Sequence, residues 1–167
     1  MTPSESEKMH LEHQAAKLFM RGYEKNTGEV IRHIWHNQPQ KPDVSCLLQG
    51  DRLDLEIAHL YGADTEAMKI LGRELNDKTR QELKNLQQTD ADARLLQALN
   101  RILANKAEKT YTSQRTWLVI RNMNDSWKRA DIELLEHRIE VPEGHPFEQI
   151  WIVADSQGDT GIVQLYP

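Results

Sequence analysis

The sequence predicts an α/β fold, a mixed β-sheet flanked by helices, and three observations carry that expectation. Residues 43–61 alternate apolar and polar side chains at period two on both sides of Gly50, as two paired strands do. Leu95, Leu96, Leu99, Ile102, Leu103 and Lys106 recur at spacings of three and four, as on a helix packed against a sheet. Thr116 to Ile120 (TWLVI) is a nearly unbroken apolar run, which suits a strand covered on both faces.

The elements follow in order. Ser4 and Glu7 have the spacing of a capping box, and Leu11, Ala15, Leu18 and Phe19 then recur at helical spacing, so residues 4–25 read as an amphipathic helix. Asn26-Thr27-Gly28 supplies its stop. Glu29 to His36 is rich in β-branched and aromatic residues and reads as a first strand. Residues 37–42, with two prolines, form a connector. Residues 43–48 and 52–61 are the second and third strands, joined at Gln49-Gly50-Asp51 as an antiparallel hairpin. Residues 64–88 look helical but are broken by Gly72 and Asn76-Asp77. Residues 90–110 form the leucine-striped helix, with Asp90 as its cap. After the strand at 116–120, Asp125 or Ser126 could cap a short helix running through Leu135. A loop at 142–146 and a final hairpin of strands 149–154 and 161–165 complete an order that begins α-β-β-β-α-β.

A chain of 167 residues is expected to form one domain spanning 1–167, large enough to build a core without disulfides. The lone Cys46 excludes an internal disulfide framework and fits a reducing compartment. The first residues lack the apolar stretch of a secretory signal, and no apolar run approaches the roughly 20 residues of a spanning helix. A cytoplasmic protein with no membrane partner is therefore expected. The net charge of −5 is unevenly spread. Residues 101–130 hold seven basic side chains against Glu108 and Asp125, a net of +5, so a local phosphate-binding face is possible beside the reading of ordinary solvated charge.

The chemistry concentrates in Pro42-Asp43 and Asp54-Leu55-Glu56-Ile57. Asp43 opens one strand, while Asp54 and Glu56 share a face of the next because strand side chains repeat every two residues. The turn near Gly50 sets Asp43 opposite Glu56 or Ile57. Carboxylates gathered this way suit a hard divalent cation, and burying them together is costly without compensation.

At this point the sequence resembles the PD-(D/E)XK superfamily of restriction endonuclease-like nucleases. The resemblance rests on Pro42-Asp43 opening a strand, on an acidic pair in the strand after a short turn, and on the α-β-β-β-α-β order over about residues 10–155. It implies a restriction endonuclease-like core, Mg²⁺ or Mn²⁺ as cofactor, DNA or RNA as partner, and room for a homodimer. Asp43 would be the motif aspartate. Asp54-Leu55-Glu56 would be the second element with Glu in the lysine position, or Glu56-Ile57-Ala58 would be that element without its lysine. The second mapping suits the hydrophobic register better, with Glu56 as the acid and Asp54 as an extra metal ligand. Lys106, or Lys109, would then supply the displaced basic group, although Lys106 could also snorkel from the core rim. Glu12 resembles an acid of the family's first helix, yet it also fits a solvated helix face. A relative that binds nucleic acid or protein without cutting is the alternative.

Histidines offer a competing pattern. His10/His13 and His33/His36 both have H-x-x-H spacing, but on a strand the second pair should face opposite ways, and no cysteine pair accompanies either. His59 reads as a packed or edge residue. Trp117, Trp127 and Trp151 fall in or beside expected strands and read as core.

Overall fold

The computed structural model describes residues 3–37, 41–61 and 91–167. The broken helical pattern at 64–88 and the cap at Asp90 lie outside the described residues. Ten elements are seen in order: α1 (Pro3–Thr27), β1 (Ile31–His36), β2 (Val44–Leu48), β3 (Asp51–Leu60), α2 (Ala91–Ala107), β4 (Thr116–Asn122), α3 (Arg129–Leu134), a single 3₁₀ turn (Glu136–Arg138), β5 (Gln149–Val153) and β6 (Ile162–Tyr166). The described residues thus form the expected α/β arrangement, with one six-stranded mixed sheet in the spatial order β1-β2-β3-β4-β5-β6.

The β2–β3 hairpin sets the register of the sheet. Gln49 and Gly50 both have positive φ, 51° and 84°, and this twist matches that of the flanking strands. Leu48 pairs with Asp51, Ser45 with Asp54 and Val44 with Leu55. β3 and β4 run parallel, as do β4 and β5, whereas β1–β2, β2–β3 and β5–β6 are antiparallel. Every residue of β4 is buried, which explains its unbroken apolar run.

Each sheet face has its own core. Leu53, Leu55 and Ile57 of β3 point toward α1 and pack with Ala15, Ala16, Phe19, Met20 and Tyr23. Aromatic rings carry much of that layer, with the Tyr23 and Trp117 centroids 5.2 Å apart and those of Phe19 and Trp151 5.7 Å apart. On the opposite face Leu95, Leu99 and Leu103 of α2 pack with Leu60, Leu118, Ile120 and Trp127. Trp117, Trp127 and Trp151 are all buried.

Three expectations are corrected. The short helix begins at Arg129 rather than after Asp125 or Ser126. The Lys128 amide donates to Asp131 Oδ2 at 2.8 Å, closing that end from within. The basic stretch at 101–130 does not make one face. Arg121 is buried and donates to the Ser156 carbonyl at 2.6 Å, Arg129 pairs with Glu133 at 2.7 Å, and Lys106 and Arg115 lie toward the opposite end of β4. The stripe that α1 buries is also rotated. It runs through Glu12, Ala15, Ala16, Phe19, Met20 and Tyr23, leaving Leu11 and Leu18 half-buried. Among the described residues no helix is long and apolar enough to cross a membrane.

Candidate active site

Extending the hairpin register by one residue carries Asp43 to Glu56, and the backbone locks the two acids together. The Asp43 amide donates to Glu56 Oε1 at 3.3 Å, and the Ile57 amide donates to Asp43 Oδ2 at 3.0 Å. Glu56 has no exposed surface and Asp43 almost none. From α2, Lys106 Nζ reaches Glu56 Oε2 at 3.1 Å, and the Tyr111 hydroxyl donates to the same oxygen at 2.9 Å. Lys41, just before the Pro42-Asp43 pair, donates to Asp43 Oδ1 and stands 4.0 Å from Glu56 Oε1. Lys109 is exposed, three residues beyond Lys106 on the chain.

The electrostatics follow from this crowding. Burial pushes Glu56 up, and its hydrogen bond to Asp43 and that residue's charge push the same way, against Lys106 and Lys41. Burial also opposes the charged form of Asp43. Hydrogen bonds with Glu56, Lys41 and the Ile57 amide outweigh it and hold this carboxyl below its ordinary value. For Lys41 burial disfavours the ammonium, but the hydrogen bond and charge of Asp43 reverse the balance and raise it. Burial, then the charge of Glu56, pushes the Tyr111 phenol far up, so it stays a donor.

Glu12 is not on a solvated face, as the rotated α1 stripe makes clear. Its side chain is 3% exposed, and among the described residues neither carboxylate oxygen accepts a hydrogen bond. Lys8 Nζ is 3.9 Å away, too far for one. Burial, then the charge of Asp43, pushes Glu12 up to about 7. Glu12, Asp43, Lys41 and Lys106 share the wall of one cavity of about 720 Å³, with Ala58 and His59 at its β3 side.

Asp54 stands in a different network. Its Oδ1 accepts from Ser45 Oγ at 2.6 Å and Arg52 Nε at 2.9 Å, and its Oδ2 accepts from Ser113 Oγ at 2.6 Å. Burial pushes it up, but these three donors prevail and hold it low. Among the described residues no three His, Cys, Asp or Glu side chains are gathered closely enough to hold a metal ion as they stand. Among the described residues the positive charge nearest Asp43 and Glu56 belongs to Lys41 and Lys106.

The histidine motifs meet in an unforeseen way. A bulge between Arg32 and Trp35, with His33 at a φ of 62°, breaks the alternation of β1. One histidine of each motif then pairs, with His13 Nδ1 3.2 Å from His36 Nε2.

Sequence reasoning missed Lys41 and Tyr111. Lys41 had a faint signal, a cation two residues from the motif aspartate. Tyr111 had none, because its partner lies 55 residues away. Comparison of the chain with family models, curated proteins and solved structures gives no match.

Proposed function

We propose that this chain is a divergent PD-(D/E)XK protein with a restriction endonuclease-like core, acting as a metal-dependent phosphodiesterase on DNA or RNA. One observation carries the reading: Glu12 holds two buried carboxylate oxygens that accept no hydrogen bond among the described residues, with Lys8 only at ion-pair distance, on the wall of the cavity that Asp43 and Lys106 also line. A carboxylate so placed is costly unless a cation compensates it. Asp43, Glu56 and Glu12 are the residues that would hold Mg²⁺ or Mn²⁺, hard ions that take oxygen donors. Such an ion, when bound, would activate water and offset charge on the scissile phosphate.

The remaining roles belong to the chain itself. Lys106, anchored on Glu56, puts an ammonium at the cavity wall where Ala58 offers none, and can stabilise charge developing on a phosphate. Lys41 can do the same from the other side. Tyr111 fixes the Glu56 carboxylate. Asp54 has both oxygens engaged by hydroxyls and Arg52, so it braces the hairpin and is left out of the ligand set.

A second reading has its own support. Lys41 and Lys106 already neutralise Asp43 and Glu56, as they would in a relative that binds without cutting. The discriminating experiment compares wild type with Asp43→Ala from the same preparation, on single- and double-stranded DNA and RNA with Mg²⁺ or Mn²⁺. Cleavage by wild type alone supports the hydrolase. Equal cleavage by both, or none by either, leaves the binding protein.

A further inference from the structure

Two recesses follow the cavity beside Asp43, each sharing wall residues with the one before it and together outlining a groove. The cavity shares Lys41 with a recess of about 450 Å³ that also touches Asn37, Arg52 and Thr112. Arg52 and Thr112 in turn border a recess of about 240 Å³ ending at Arg115. Trp35 pairs with Ser45 across β1–β2, and Ser45 with Asp54 across β2–β3, so all three side chains lie on the sheet face that carries Glu56.

Trp35 differs from the other tryptophans. Those are buried, whereas Trp35 is 37% exposed on the edge strand. Above its ring sits the Arg52 guanidinium, 5.8 Å from the centroid. The Arg52 side chain is 60% exposed, yet its fork is held, with Nε on Asp54 at 2.9 Å and Nη2 on Ser45 at 3.4 Å. Its third nitrogen, Nη1, makes no hydrogen bond among the described residues. An exposed indole beside a braced arginine with an open donor matches a nucleotide, with a flat face for a base and a fork for a phosphate. Bases in a duplex already stack on both faces, so the indole can receive only an unpaired one.

We infer that Trp35 and Arg52 form the binding platform for single-stranded nucleic acid, which reaches the Asp43 site along the groove through Lys41. The location of the platform gains its meaning from the hydrolase reading, but binding can be measured without cleavage.

The test is fluorescence anisotropy of labelled single-stranded and duplex oligonucleotides of one mixed sequence, in Ca²⁺ or in EDTA, with the full chain. Wild type binds the single strand more tightly than the duplex. Trp35→Ala weakens single-strand binding about 5- to 150-fold, the range for loss of one stacked base, and Trp35→Phe restores part of it. Arg52→Gln weakens binding and lowers the salt slope by roughly 0.7, the value for one single-strand phosphate contact. Lys128→Ala removes an exposed charge that lines none of these recesses and leaves binding as in wild type. Circular dichroism confirms that each variant is folded, and the partial rescue by phenylalanine is not expected from misfolding. Unchanged binding by both Trp35→Ala and Arg52→Gln overturns the platform, even if Asp43-dependent cleavage is found. So does duplex binding as tight as single-strand binding. Intact Trp35-dependent binding without any cleavage sustains the platform and removes only the hydrolase.

Discussion

Lys106 Nζ lies 3.1 Å from Glu56 Oε2, joining two residues 50 positions apart in the chain. The contact brings the far end of α2 onto the middle of β3. It gives a fully buried carboxylate its nearest cation among the described residues, and it places an ammonium where Ala58 leaves none. Removing Lys106 would leave the buried Glu56 with the more distant Lys41, at 4.0 Å, as its nearest cation among the described residues, beside the Tyr111 hydroxyl.

That pairing predicts unequal effects for two neighbouring lysines. Lys106→Ala should lower turnover by about 10²–10³-fold, the usual loss when a preorganised electrostatic stabiliser is removed. Lys109→Ala should leave turnover unchanged, because Lys109 is exposed. Steady-state rates in Mg²⁺ check both, and equal losses would remove Lys106 from the site.

Glu12→Gln should raise stability without metal and reduce the stabilisation that metal gives. Without metal it replaces a buried carboxyl that accepts no hydrogen bond among the described residues by a neutral amide and should raise Tm by about 2–4 °C for each kcal/mol relieved. Mg²⁺ should raise Tm of the wild type and raise that of the variant less, because a ligand that binds only the folded state stabilises it. Thermal unfolding in EDTA and then in Mg²⁺ checks this. Identical metal-induced shifts would exclude Glu12 as a ligand.

Glu148→Ala tests a support on the α1 side of the sheet. Glu148 Oε1 accepts from Arg115 Nε at 2.8 Å and from the buried Trp117 indole at 3.1 Å. The variant leaves that indole N–H unpaired, at a cost of about 1–3 kcal/mol. Burial pushes Glu148 up, but its hydrogen bonds with Arg115 and Trp117 prevail and hold it low. Its electrostatic contribution is therefore present above the ordinary glutamate value of about 4.3 and lost as pH falls through the lower folded value. Urea unfolding at neutral pH should show the full difference between wild type and variant, and at about pH 3 a smaller one. Because Glu148 is about half exposed, the pH-dependent part is the smaller share.

Gly50→Ala addresses the turn that sets Asp43 against Glu56. Among the described residues no atom lies within 4 Å of the added Cβ, so the cost is conformational, from a φ of 84°. About 1–2 kcal/mol is expected, seen as a lower Tm with the fold retained. A stabilised variant would mean that the turn has another conformation.

Local pattern determined much of this protein without help from the fold. The period-two alternation on both sides of Gly50 established the hairpin and set Asp43 opposite Glu56 or Ile57; the structure chose Glu56, because the turn takes only Gln49 and Gly50 and Asp51 already pairs with Leu48. The leucine spacing of α2 likewise put Lys106 on its sheet-facing side. Tertiary structure alone decided the rest. It rotated α1 so that Glu12 entered the core, since an amphipathic pattern limits a helix face only to a broad stripe. It brought Lys41 and Tyr111 to the acids, gave Asp54 to Ser45, Arg52 and Ser113, and divided the basic segment between the two ends of β4. Periodicity reports which side of an element is apolar, whereas side-chain partners tens of residues away depend on how the elements are packed, which no local spacing encodes.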